Sequence, residues 1–255
     1  MNNGFCISKN ALKDLWLEKQ KKRLFECIKE FNGKLSLQEM HDQMKSDDGV
    51  FNELITKSNS KFSSKTENVE VVAAFDLSDL YFPDSTDTEI CFEMKSSFSY
   101  KKGEALSYDD IVNNIESKTH LDCLIRKDGK KFNFQIKRYP QSYLLYTTEA
   151  VNEYIKKIIE GYGDMKDTIL IILLQPNGDK TDNLNLKNVH EYLLSISKQI
   201  SFNEVNFIFN EMNQRIKWLQ VFPEYEVSEK VIELFSDKYK DIQTKWKEVE
   251  KGLNV

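Results

Sequence analysis

Residues 120–140 read HLDCLIRKDGKKFNFQIKRYP, an Asp-Gly pair between two runs of alternating apolar residues. That is the strongest short-range signal for a β-hairpin, because a two-residue turn of this type needs positive φ at both positions. With Asp128 and Gly129 as the turn, Leu121 falls opposite Ile136, Cys123 opposite Phe134 and Ile125 opposite Phe132. All three pairs are apolar and share one face, so side chains and turn specify the same register.

The other face differs. Asp122 falls opposite Gln135, with Lys137 two residues further along. Residues 122 and 135 form a non-hydrogen-bonded pair, whose Cβ atoms lie about 4.5–5.5 Å apart. A carboxylate, an amide oxygen and an ammonium are gathered at one end of the hairpin. A hard cation such as Mg²⁺ takes one or two carboxylates, further oxygens and substrate phosphate. A water activated beside a lysine can attack a phosphodiester in line.

Working outward, residues 147–160 read as a helix, with Val151, Tyr154, Ile155, Ile158 and Ile159 as its stripe and Gly161 and Gly163 at its end. TILIILLQ (168–175) is apolar throughout, as a strand buried on both faces is. Residues 186–199 read as a helix, EVNFIFN (204–210) and RIKWLQVF (215–222) as strands, and 228–249 as a last helix. Upstream, SYDDIVNNIESK (107–118) reads as a helix, and VEVVAAFDL (69–77) and EICFEMKSSF (89–98) as strands. The first third reads helical: 11–31, a capping box at Ser36–Glu39 opening a short helix to Met44, and a cluster from Val50 to Ile55. The polar, Ser-rich run 58–68 marks a boundary. The expected organisation is an N-terminal helical region (1–67), an α/β (α+β) core (68–225) with a mixed central sheet flanked by helices, and a C-terminal helix (226–255).

An Asp on one strand, Q-x-K on the next, then a helix and a buried strand resemble the PD-(D/E)xK nuclease superfamily, the restriction-endonuclease-like fold. The string Gln135-Ile136-Lys137-Arg138-Tyr139 resembles the QxKRY variant of Mrr-type restriction enzymes and related bacterial defence nucleases. The similarity covers roughly residues 105–175, extending at most to 225. It implies an Mg²⁺- or Mn²⁺-dependent endonuclease that hydrolyses DNA, in a restriction or anti-phage setting. It implies Asp122 as principal metal ligand, Gln135 and the Ile136 carbonyl as further ligands, and Lys137 orienting the nucleophilic water. It also implies an acidic residue from the preceding helix, a place Glu116 occupies. Arg138, Lys131 and Tyr139 are the candidate nucleic-acid contacts. The chain departs from the pattern in having Gln at position 135, which removes one negative charge. No Pro precedes Asp122, and the first core strand is short, absent or displaced upstream. A Gln there leaves a rival reading: a catalytically decayed nuclease fold serving as a nucleic-acid or protein interaction module.

A second constellation lies upstream. If residues around Asp79 and Glu93 form a hairpin, Leu80 pairs with Phe92, Phe82 with Ile90, and Asp79 meets Glu93 and Lys95. An ordinary same-face ion pair explains Glu93 and Lys95 equally well.

Composition limits the remaining classes. The 255 residues carry 36 Lys plus Arg against 41 Asp plus Glu, a net charge of −5, and this acidity argues against a general nucleic-acid coat but not against a local basic site. Lys127, Lys130, Lys131, Lys137 and Arg138 make such a cluster around the hairpin. The longest apolar run is Ile169–Leu174, too short to cross a membrane, and the N-terminus has no apolar leader. Cys6, Cys27, Cys91 and Cys123 are scattered, so neither a zinc site nor a disulfide framework is expected, and a reducing, cytoplasmic setting follows. His41, His120 and His190 lack metal-ligand spacing, and no P-loop, GxGxxG or G-x-S-x-G occurs. A protein partner or a second copy could dock through the N-terminal helices or residues 228–249.

Overall fold

The structure, a computed structural model, describes residues 4–16, 18–19, 66–83, 85, 87–101, 103–116, 121–139, 146–174, 184–210 and 216–228. The helix read at 36–44, the cluster at 50–55, residues 20–31 of the first helix, residues 58–65 of the 58–68 boundary and residues 229–249 of the last helix lie outside these residues, whereas residues 66–68 belong to a helix and residue 228 ends a strand.

One eight-stranded sheet runs in chain order: β1 Gly4–Ser8, β2 Glu89–Glu93, β3 Cys123–Lys127, β4 Lys130–Arg138, β5 Met165–Leu174, β6 Phe202–Asn210, β7 Ile216–Phe222 and β8 Glu226–Ser228. β1 to β4 pair antiparallel, β4 to β6 parallel, and β6 to β8 antiparallel. Among the described residues five α-helices flank it: α1 (residues 9–16 and 18–19), α2 Thr66–Tyr81, α3 Tyr108–Asn114, α4 Thr148–Gly161 and α5 Leu186–Ser195. α4 carries the chain from β4 to the parallel β5, and α5 carries it from β5 to β6, the connection that parallel strands require.

The hairpin forms in the register its side chains specify. Cys123 pairs with Phe134 and Ile125 with Phe132. Asp128 (φ 50°) and Gly129 (φ 80°) supply the turn's positive φ values. β5 is buried on both faces. Ile169, Ile171 and Leu173 join the core under α2 and α3, whereas Leu170, Ile172 and Leu174 pack with α4 and α5. Thr147 caps α4 through the Ala150 N–H, and Ser107 makes a full capping box with Asp110 that starts α3.

Several expectations need correction. VEVVAAFDL belongs to helix α2, not to a strand. Val71, Ala74, Leu77 and Ser78 are buried at helical spacing, but β-branched neighbours and a continuous apolar run mask that period. The upstream hairpin around Asp79 therefore does not form; β2 pairs with β1 and β3 instead. Residues 4–8, read as part of the N-terminal helical region (1–67), are an edge strand of the sheet. In its register Cys6 lies directly opposite Cys91, and the two form a disulfide across 85 residues of sequence. Only tertiary pairing of a terminal strand brings these two together, so their scattered spacing gave no sign of it. Helix α3 ends at Asn114, shorter than its 107–118 reading.

Candidate active site

Asp122 immediately precedes β3. Its N–H donates to the Phe134 carbonyl at 3.0 Å. In a continuing ladder the Ile136 N–H would reach the Leu121 carbonyl. Instead it donates to Asp122 Oδ2 at 2.6 Å, so the carboxylate takes over where the strand ends. The Gln135 amide nitrogen donates to the same oxygen, and the Lys137 ammonium lies 3.8 Å from it. The structure thus brings Asp122, Gln135 and Lys137 together.

The Ile136 carbonyl is placed by strand alternation. Tyr139, an odd-numbered neighbour, donates to Leu173 of β5, so odd residues of β4 bond to β5 and even ones face β3. The Ile136 carbonyl therefore points to the Asp122 side.

Burial gives these groups unusual properties. Asp122 is 5% exposed, and burial pushes its carboxyl up to about 6, against the opposing pull of Lys137 and the Ile136 N–H. Gln135 is fully buried, and its Oε1 has no hydrogen-bond partner among the described residues. Such an atom costs about 1–3 kcal/mol unless something satisfies it. Burial pulls Lys137 down, but Asp122, the Tyr162 hydroxyl and Glu70 together hold it above its ordinary value.

Glu70 escaped the sequence reading. It lies on α2, is 6% exposed, and acts electrostatically on both Lys137 and the buried thiol of Cys123. Its signal was masked by the strand reading of VEVVAAFDL. Read as a helix, Glu70 falls on the same stripe as Ala74 and Leu77, and a carboxylate on a buried stripe is a functional signal.

Glu116 is not on a helix. It leaves α3, and its N–H donates to the Glu93 carbonyl at 2.9 Å beside an Ile115–Met94 bridge. Ile115 and Met94 point into the core under α2, so Glu116 and Glu93 point to the opposite face, the one that carries Gln135 and Lys137. Lys95 donates to the Asn113 carbonyl at the end of α3 (2.7 Å), and Asp79 pairs with Lys9, so Asp79, Glu93 and Lys95 do not converge.

The basic cluster divides. Lys131 shares the face of Gln135 and Lys137, whereas Arg138 has the parity of Ile136 and points to the α2 face. Lys131 is four residues from Gln135, roughly 14 Å along the strand. It lines a groove at the hairpin turn with Arg126, Lys127 and Lys130. Tyr139 is 4% exposed and packs between Tyr146 and Tyr154, so its ring is not presented to a nucleic acid. His190 binds the Val221 carbonyl at 2.9 Å, a structural role.

Among the described residues, no group of three or more His, Cys, Asp or Glu side chains could hold a metal ion. No family model, no curated protein and no solved structure matches the chain. Among the described residues no helix is long and apolar enough to cross a membrane.

Proposed function

We propose that the chain is a divalent-metal-dependent nuclease with its centre at Asp122, Gln135, Lys137 and Glu70. The observation that carries the reading is the convergence on Asp122 Oδ2 of Gln135, Ile136 and Lys137, beside a buried Gln135 oxygen that has no partner among the described residues. The order of elements supports it: the Asp122 strand, the QxK strand, the crossover helix α4 and the parallel, buried β5 follow the pattern of the PD-(D/E)xK resemblance. β2, displaced upstream by α3, supplies the first strand, and Glu70 on α2 takes the part expected of Glu116.

The residues suit a small hard cation. Asp122 offers a carboxylate, Gln135 Oε1 an amide oxygen with no partner among the described residues, and Ile136 a carbonyl on the Asp122 side, while Glu70 adds negative charge that is felt at Lys137. One or two carboxylates with neutral oxygens suffice for Mg²⁺ or Mn²⁺, which complete their shells with water and phosphate. When bound, such an ion neutralises phosphodiester charge and acidifies water. The protein's own groups do the rest. Lys137 donates hydrogen bonds to a phosphate oxygen or the attacking water and carries compensating charge as negative charge develops. Asp122 and Gln135 hold that ammonium and the ion in fixed relation. Lys131, on the same face, meets the backbone further along. DNA is the substrate by resemblance, and restriction or antiviral defence is the corresponding setting.

Nicking of supercoiled plasmid by wild type and Lys137→Ala, each in Mg²⁺, Mn²⁺ or EDTA, tests the reading. Metal-dependent nicking lost in Lys137→Ala supports it; nicking that persists in Lys137→Ala removes the centre from this hairpin. Parallel RNA and single-stranded DNA substrates fix the substrate class.

A further inference from the structure

Tyr162 stands at the end of α4, between Gly161 and Gly163, and its N–H closes the last turn on the Ile159 carbonyl at 3.4 Å. A Cβ at either glycine would meet nothing within 4 Å. The backbone there is uncrowded, and Tyr162 packs through its ring. That ring packs on Phe202 at the start of β6, with centroids 5.8 Å apart at 59°. Its other side faces the candidate centre: the Lys137 ammonium lies 5.5 Å from the ring centroid.

Lys137 needs such an anchor. Its ammonium sits on a flexible four-carbon stem. Asp122 lies 3.8 Å away, at the long end of an ion pair, and the oxygen concerned already accepts from Gln135 and Ile136. One long contact to an oversubscribed acceptor orients an ammonium poorly. We infer that Tyr162 is a positioning residue for Lys137, its hydroxyl oxygen accepting from the ammonium opposite Asp122 and so aiming a remaining N–H at a substrate phosphate. An ammonium has three donors, and two anchors on different elements fix the direction of the third. The interaction of the Tyr162 hydroxyl with Lys137 is also among the influences that hold the lysine charged. The device ties the crossover helix to the QxK strand. It rests on the nuclease reading for its purpose, though not for the contact.

Two measurements on the full chain test it. The first is a double-mutant cycle in urea unfolding with Tyr162→Phe and Lys137→Met. Tyr162→Phe keeps the ring on Phe202 and deletes only the hydroxyl. The expected coupling is about three- to tenfold in the unfolding constant; strictly additive effects overturn the inference. The second is plasmid nicking. Tyr162→Phe should lower kcat about tenfold with KM unchanged. Wild-type rates in Tyr162→Phe overturn the positioning role. If the wild type cleaves nothing, the nuclease reading fails by itself, and the cycle alone decides whether Tyr162 anchors Lys137.

Discussion

Gln135 presents the N–H side of its amide to Asp122 and leaves its oxygen buried without a partner among the described residues. A glutamine here can donate to the carboxylate, which a glutamate at pH 7 could not. The pair is therefore stable as it stands, with the amide oxygen left over.

Gln135→Glu should reverse that balance. Two carboxylates would then face each other in a buried site. In EDTA at neutral pH the variant should lose about 1–3 kcal/mol of stability in urea unfolding, through the lost hydrogen bond and the repulsion. Millimolar Mg²⁺ should restore much of it. Equal losses with and without Mg²⁺ would show that no cation binds between the two.

Asp122 makes stability depend on pH. Its carboxyl is pushed up to about 6 in the fold by burial, against about 3.9 in an unfolded chain. The folded state binds more protons between these values, so this contribution is fully present below about pH 4 and is lost as pH rises through 6. The stability of wild type relative to Asp122→Asn should fall by about 2–3 kcal/mol between pH 4 and 7. A flat difference would contradict the burial of this carboxylate.

The Cys6–Cys91 disulfide holds the edge strand β1 on β2. Reduction, or Cys6→Ala with Cys91→Ala, should lower stability by about 2–4 kcal/mol. A wild type whose unfolding is indifferent to dithiothreitol would show that the bond does not form in solution.

Lys131 shares a face with the candidate centre at the far end of β4. If it contacts duplex phosphate, Lys131→Ala should weaken binding uniformly across sequences and reduce the salt slope of log K by about 0.9. Electrophoretic or anisotropy titrations between low and moderate salt read this directly. An unchanged slope places nucleic acid elsewhere.

Gly161 ends α4 with ordinary φ and open space around its missing side chain. Gly161→Ala should therefore stabilise the protein by about 0.5–1 kcal/mol, by denying the unfolded chain conformations it would otherwise populate. Destabilisation in thermal unfolding would show that this end of the helix must move.

Local sequence determined the hairpin. An Asp-Gly turn and period-two alternation act between residues a few positions apart, so Cys123 opposite Phe134 was readable without any fold. The same locality showed Asp122, Gln135 and Lys137 as neighbours, and α4 and β5 as a striped helix and a doubly buried strand. Tertiary structure decided the rest. VEVVAAFDL carries no clear period of its own, and becomes a helix because packing against the sheet buries one face. With it came Glu70, a carboxylate some fifty residues from Asp122 whose charge is felt at Lys137 only because α2 packs on the sheet. Tyr162 reaches the same lysine, and Cys6 reaches Cys91, by the same route. Contacts between distant segments depend on how the layers stack, and no short window of sequence encodes that stacking.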